Sequence, residues 1–116
     1  MTSDGDLDAV LAVSHLGPVI VFKHSDTCGV SLMVRDGFAD DALPATVYEV
    51  VVQRHRGVSS RLVSLLGVRH ASPQVLVVAR GAAVWHSSHN GVTAARIAAA
   101  WRLAADAFTT TPAATR

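Results

Sequence analysis

The stretch PVIVFKHSDTCGVS, residues 18–31, contains the only cysteine of this 116-residue chain. It opens with a short apolar run at 18–22 that is rich in β-branched residues, which is typical of a strand buried on both faces of a sheet. After the cysteine, apolar residues recur every four positions from Val30 to Phe38, which predicts a helix that begins at or near Cys28. The stretch therefore predicts a strand, a loop, and a cysteine at the start of a helix.

Apolar periodicity and turn residues predict six further elements. They are a helix near residues 7–14, a strand at 45–53, a helix at 58–66, strands at 72–79 and 80–88, and a helix from about 91–93 to 108. The helix at 58–66 has an apolar stripe of Val58, Leu62, Leu65 and Leu66, and Gly67 is its expected C-terminal cap.

The predicted order is α-β-α-β-α-β-β-α, with no internal repeat or linker. Alternation in the first half favours a parallel βαβ unit, and the short connection at Arg80–Gly81 favours an antiparallel hairpin added to the same sheet. A four-stranded mixed sheet flanked by helices is the thioredoxin-like α/β arrangement. We expect one domain over residues 1–108, followed by a flexible tail at 109–116.

Composition agrees with one compact domain. Half of the residues are apolar and 16% are charged, which is typical of a well-filled core. A net charge of +1 provides no electrostatic footprint for nucleic acid or an anionic membrane. The longest apolar run is far shorter than the roughly 18 residues that span a bilayer. The acidic start, MTSDGDLD, differs from a secretory signal, so we expect a cytoplasmic protein.

The single cysteine cannot form an internal disulfide, which leaves a structural thiol, a reactive thiol, or a ligand of a metal shared between chains. A thiol in the first turn of a helix is activated, because the free backbone N–H groups and the helix dipole stabilise the thiolate. Lys23 and His24 add positive charge nearby, while Asp26 opposes them. We therefore interpret Cys28 as a nucleophile.

A second motif, HASPQV, places Pro73 at the start of a predicted strand. Strand starts tolerate proline, so this position alone carries no functional meaning. Its pairing with an upstream Cys-x-x-Ser does, because in thioredoxin-like domains a cis-proline faces the active-site sulfur. The residue before it offers backbone groups to an extended substrate. A cis bond cannot be inferred from the sequence alone.

The remaining polar and aromatic candidates carry weaker signals. His86 and His89 are the only close histidine pair, and they span a strand end and a loop. Since there is no Cys/His quartet, we predict no zinc site within one chain. Glu49 is either a satisfied strand carboxylate or a buried base, and Trp85 and Trp101 are predicted to be core residues.

Three separated segments carry a family resemblance: FKHSDTCGVS, SPQVLVVARG and VWHSSHNGVTAARI. Together they resemble the YtxJ-like proteins of the bacillithiol system, which are small monothiol bacilliredoxins of the thioredoxin superfamily. The resemblance extends roughly from Leu16 to Ile97. Three motifs in the same order are far more specific than CGVS alone.

The resemblance implies thiol–disulfide exchange with a low-molecular-weight thiol, bacillithiol, as co-substrate, and no permanently bound cofactor or metal. Cys28 attacks a mixed disulfide of a client protein and takes over the small thiol. Ser31 replaces a resolving cysteine and acts at most as a hydrogen-bond donor to the thiolate, so a second small thiol or a separate reductase must release the adduct. The residues implied to bind thiol or substrate are Lys23, His24, Thr27, Gly29, Ser72, Pro73, His86 and His89.

Gly29 departs from the family pattern, in which proline usually follows the cysteine. It makes CGVS similar to the CGFS of monothiol glutaredoxins, which hold an iron–sulfur cluster between two subunits. The Gly-Gly-x-Asp of those proteins is missing, because the corresponding stretch reads SSHNGVT. An iron–sulfur cluster carrier is therefore one alternative hypothesis. A non-catalytic thioredoxin-like binding module is the other.

Overall fold

The computed structural model describes residues 1–25 and 43–110, except for the side chains of residues 109 and 110. Its helices are α1 (Asp4–Val13), α2 (Arg56–Leu66) and α3 (Ala94–Thr110), and its strands are β1 (Val19–His24), β2 (Val47–Val51), β3 (Gln74–Ala79) and β4 (Ala82–Ser88). A short 3₁₀ helix, His89–Gly91, follows β4. The helix predicted to begin at Cys28 lies outside the described residues.

The four strands form one mixed sheet in the order β2-β1-β3-β4. β1 and β2 are parallel, whereas the β1–β3 and β3–β4 pairs are antiparallel. The hairpin between β3 and β4 turns at Arg80 and Gly81, whose φ angles of 52° and 75° suit a two-residue turn that follows the strand twist. The thioredoxin-like fold is confirmed.

Strand boundaries differ from the predicted ones. β2, β3 and β4 each begin two residues later than predicted, and β2 also ends two residues earlier. For β3, the reason is that Pro73 has no N–H to donate to the ladder. β1 extends beyond its predicted end at Phe22 to include Lys23 and His24. Because successive strand residues point to opposite faces, these two basic side chains lie on opposite faces of the sheet.

Each face of the sheet has its own apolar cluster. One cluster joins Val21 of β1 to α1 and α2 and includes the buried Leu62. The other joins Phe22 of β1 to α3 and includes the buried Ile97. The alternation of β1 therefore decides that Lys23 shares a face with α2, whereas its neighbour His24 shares a face with α3.

Helix α2 ends as predicted, but its predicted apolar stripe is not buried along its whole length. Gly67 has a φ of 70°, and its N–H donates to the Val63 carbonyl at 2.9 Å, which confirms the C-terminal cap. Leu65 is 47% exposed, whereas Leu62 is only 2% exposed. The prediction that Leu65 faces the core is therefore wrong.

Helix α3 is anchored to β1 by one of the predicted core tryptophans. The indole N–H of Trp101 donates to the Pro18 carbonyl at 2.8 Å, at the start of β1. Trp85 and Trp101 both pack against the cluster on this face, as predicted. The helix extends to Thr110, two residues into the predicted tail, and residues 111–116 lie outside the described residues.

Candidate active site

The C-terminal end of β1 meets the N-terminal end of β3 at one end of the sheet. Lys23 is the register partner of Gln74, which directly follows Pro73. The Ser72–Pro73 peptide bond is cis, and the Pro73 carbonyl accepts the backbone N–H of His89 at 3.0 Å. The hydroxyl of Ser72 is buried and has no hydrogen-bond partner among the described residues. The fold thus brings Lys23, Ser72 and Pro73 to the same end of the sheet.

Lys23 is buried to an extent that is rare for a lysine. Its side chain is only 1% exposed. Burial lowers the pKa of Lys23 to about 8, because the charged form loses its hydration. The side chain therefore carries a positive charge at neutral pH that its surroundings stabilise poorly.

The Lys23→Met variant is expected to be more stable than the wild type at pH 7, by about 2 kcal/mol. The pKa of Lys23 is about 8 in the folded chain, against 10.5 for a lysine side chain in water, so unfolding at intermediate pH takes up a proton. The charged form of Lys23 destabilises the folded state. This cost is absent above the unfolded pKa of 10.5 and is complete once the pH has fallen below the folded pKa of about 8. Urea unfolding at pH 7 and near pH 10 measures this: the advantage of the variant should shrink at the higher pH. A pH-independent advantage would contradict it.

His24 and Glu49 form a pair on the opposite face. Nε2 of His24 lies 3.0 Å from Oε1 of Glu49, which is ion-pair distance when the imidazole is protonated, but the two atoms are not aligned for a hydrogen bond. The ring of the buried His24 stacks on Phe22 with centroids 5.0 Å apart. Glu49 is therefore the partner of a buried histidine, and His24 is separated by the sheet from Lys23.

A cleft of about 440 Å³ opens between the end of β2, helix α2 and the segment before Pro73. Its polar lining residues are Gln53, Arg56, Ser59, Ser60 and His70. Oγ of Ser59 lies 3.4 Å from Nδ1 of His70. Burial and the nearby charge of Lys23 lower the pKa of His70. None of these residues is singled out by the sequence, because they converge only when the chain is folded.

The other predicted site residues are placed differently. Cys28, Ser31, Thr27 and Gly29 lie outside the described residues. His86 is exposed, and the register places it opposite Leu76, which is three residues along the chain from Pro73. The side chain of His89 is also exposed, so this residue reaches Pro73 only through its backbone N–H.

The described ranges contain no candidate metal centre and no candidate membrane span. Residues 1–25 and 43–110 contain no group of three or more His, Cys, Asp or Glu side chains arranged to hold a metal ion. In the same part of the chain, no helix is both long and apolar enough to cross a membrane.

Solved structures with this fold include several redox proteins. A candidate oxidoreductase with a thioredoxin fold is 27% identical, with a TM-score of 0.74 over 86% of this chain and 89% of that chain. Thioredoxin from Schistosoma mansoni is 17% identical, with a TM-score of 0.69 over 89% and 91%. A mutant thioredoxin from Halobacterium salinarum NRC-1 is 20% identical, with a TM-score of 0.66 over 90% and 88%. The last two likenesses show only that the fold is shared. The class of protein that the fold defines here is that of thioredoxin-fold oxidoreductases.

The family follows from a longer match. The profile of the monothiol bacilliredoxin BrxC family matches residues 1–97, which include every predicted site residue. The chain therefore belongs to the monothiol bacilliredoxin BrxC family, and the family predicted from the three sequence motifs is confirmed.

Proposed function

We propose that this protein is a monothiol thiol–disulfide oxidoreductase that removes a low-molecular-weight thiol, bacillithiol, from mixed disulfides of client proteins. The observation that carries the proposal is the family match over residues 1–97, a range that contains the only cysteine of the chain. With one cysteine, the chemistry has to run through Cys28.

The first step is an exchange of disulfide partners. The Cys28 thiolate attacks the sulfur of the small thiol in the mixed disulfide, and the bond between that sulfur and the client sulfur breaks. The client leaves as a thiolate, which takes a proton from solvent. Cys28 then holds the small thiol in a new disulfide, so the number of disulfide bonds is unchanged and no external oxidant is needed.

The second step needs a thiol from outside the chain. Ser31 stands where a resolving cysteine would be and cannot attack the adduct as a thiolate. A second molecule of the small thiol attacks the small-thiol sulfur of the adduct. This releases a symmetrical small-thiol disulfide and restores the Cys28 thiolate. A separate reductase can accomplish the same release.

Lys23 supports a role for Cys28 as a thiolate. A nearby positive charge lowers a thiol pKa, because it stabilises the anion over the neutral form. Lys23 precedes Cys28 by five residues and is kept from full hydration by burial, so its charge is weakly screened.

The proposal is tested by intact-mass spectrometry. The reduced protein is mixed with a client peptide that carries bacillithiol on one cysteine, and both masses are followed with time. We expect one bacillithiol to move from the client to Cys28, and added free bacillithiol to restore the unmodified protein. The same client carrying glutathione is the comparison, and it should react more slowly. A protein that stays unmodified while the client keeps its bacillithiol would refute the proposal.

A further inference from the structure

Helix α3 has an apolar side besides the one that packs on the sheet. Ile97 and Trp101 contact the sheet cluster. Residues spaced three and four apart lie on one side of a helix, and five such residues line a groove between α3 and β4. They are Ala100, Leu103, Ala104, Ala107 and Phe108. Leu103 is 72% exposed, so this side of α3 is open to solvent.

The other wall of the groove is the edge strand β4. Among the described strands, only β3 pairs with it. Natural edge strands are commonly protected against pairing with other chains by charged side chains or proline. β4 reads AAVWHSS and has no Asp, Glu, Lys, Arg or Pro, whereas the opposite edge strand, β2, carries Glu49. Val84 is 54% exposed, so the β4 edge presents an apolar side chain beside the groove.

The groove consists of two hollows, of about 220 and 250 Å³, which meet at Val84 and Ala104. One extends towards Phe108 and the hairpin that precedes β4, and the other extends towards Trp85. Helix α3 therefore runs antiparallel to β4, with Val84 and Ala104 at the middle. A two-fold axis beside these two residues brings the exposed Leu103 of each copy to the groove of the other. Such self-complementarity is what an isologous dimer requires.

The charges along the groove are compatible with a second copy of the chain. Arg80 is the only charged residue among the described residues that line it, and it lies at one end. Its guanidinium stacks over the Phe108 ring at 4.2 Å and donates to the Phe108 carbonyl at 3.3 Å. Arg80 lies four residues, or about 13 Å, from Val84, so the two-fold axis separates the two Arg80 side chains by about 26 Å. This separation is about three Debye lengths at physiological salt, so the two copies do not repel each other there.

The size of this surface is that of a weak dimer. The seven residues of β4 extend over about 23 Å. The strand edge and the helix above it are together about 20 Å high, which gives roughly 460 Å² per copy. A specific interface needs at least about 500 Å² per partner. The surface is close to that limit, so we expect association that depends on protein concentration.

We propose that the groove between α3 and β4 is the surface through which two copies of this chain form a weak two-fold dimer. Val84 and Ala104 lie at its centre, and Leu103 supplies the main apolar contact. The register of β4 shifts at Val84, and such a bulge disrupts strand pairing, so side chains and not a continuous β-ladder hold the copies together. The dimer does not depend on Cys28 or on the proposed function.

Sedimentation velocity tests the dimer in the Cys28→Ser chain, in which no disulfide can join two copies. We expect a dissociation constant of about 10–100 μM, measured up to a protein concentration of about 1 mM. Leu103→Glu should raise this constant at least tenfold, because the two-fold axis brings two like charges together. Val84→Lys, on the other wall of the groove, should do the same. Leu65→Glu is the matched control, since it changes an exposed leucine of α2 on the opposite face of the sheet and should leave the constant unchanged.

Amide NMR spectra of the same protein locate the interface without any substitution in the groove. Shifts that depend on protein concentration should be confined to residues 82–86 and 100–108. A protein that stays monomeric up to about 1 mM overturns the proposal and leaves the groove to a partner of different chemistry. A dissociation constant unchanged in both Leu103→Glu and Val84→Lys, or shifts on another surface, also overturns it, because the copies then meet elsewhere.

Discussion

Replacing Cys28 by serine is expected to lower the rate of bacillithiol removal from a client by roughly a thousandfold or more, because the reaction loses its nucleophile. A serine hydroxyl is almost entirely protonated at neutral pH and is a poor nucleophile towards disulfide sulfur. Since the chain has no other cysteine, no second thiol can take over. The effect should be as large with a glutathione-bearing client, because both reactions need the same thiolate.

The measurement is the release of bacillithiol from the client, followed by mass spectrometry for wild type and Cys28→Ser side by side. The serine variant should unfold at the same urea concentration as the wild type within error, which shows that the lost activity is chemical and not a loss of fold. Activity retained at wild-type level in a folded Cys28→Ser protein would favour a non-catalytic binding module instead.

Replacing Leu62 by alanine is expected to lower the free energy of unfolding by about 3 kcal/mol. Its side chain is 2% exposed and belongs to the cluster that joins α1, α2 and the sheet. The substitution removes buried apolar surface and leaves a cavity that the strands behind it cannot fill. This is the largest stability effect that we expect from a single leucine in α2.

The same substitution at Leu65 is the matched control. Leu65 lies three residues later on the same helix but is 47% exposed. Alanine is also a better helix former, so Leu65→Ala should change the free energy of unfolding by less than about 1 kcal/mol. Urea unfolding of both variants and the wild type makes the comparison. Equal losses at the two positions would mean that α2 packs differently from the structure.

Leu62 and Leu65 also show how far helical periodicity in the sequence can predict packing. Helical spacing assigns both to one stripe, because residues three and four apart lie on neighbouring parts of a helix surface. Val58 and Leu62 are buried, as the stripe predicts, but the stripe is too wide because it also includes the exposed Leu65. Its true width depends on where α1 and the sheet cover α2, and that is decided by contacts between distant parts of the chain.

Strand β1 shows the same limit at the candidate active site. The apolar run ends at Phe22, so the sequence predicts Lys23 and His24 together as neighbours of the nucleophile. Pairing with β2 and β3 extends the strand by two residues, and the pleat then places the two side chains on opposite faces. Only Lys23 shares a face with α2 and the cleft.

The sequence by itself determined the order of the described elements, the hairpin turn at Arg80–Gly81 and the family, because these depend on local periodicity, turn chemistry and motifs that are contiguous along the chain. The tertiary structure alone decided that Lys23 is buried on the α2 face of the sheet and that His24 lies on the opposite face beside Glu49. It also decided that Arg56, Ser59 and His70 converge on one cleft. The physical reason is that burial, pKa and pocket formation depend on which distant segments pack together.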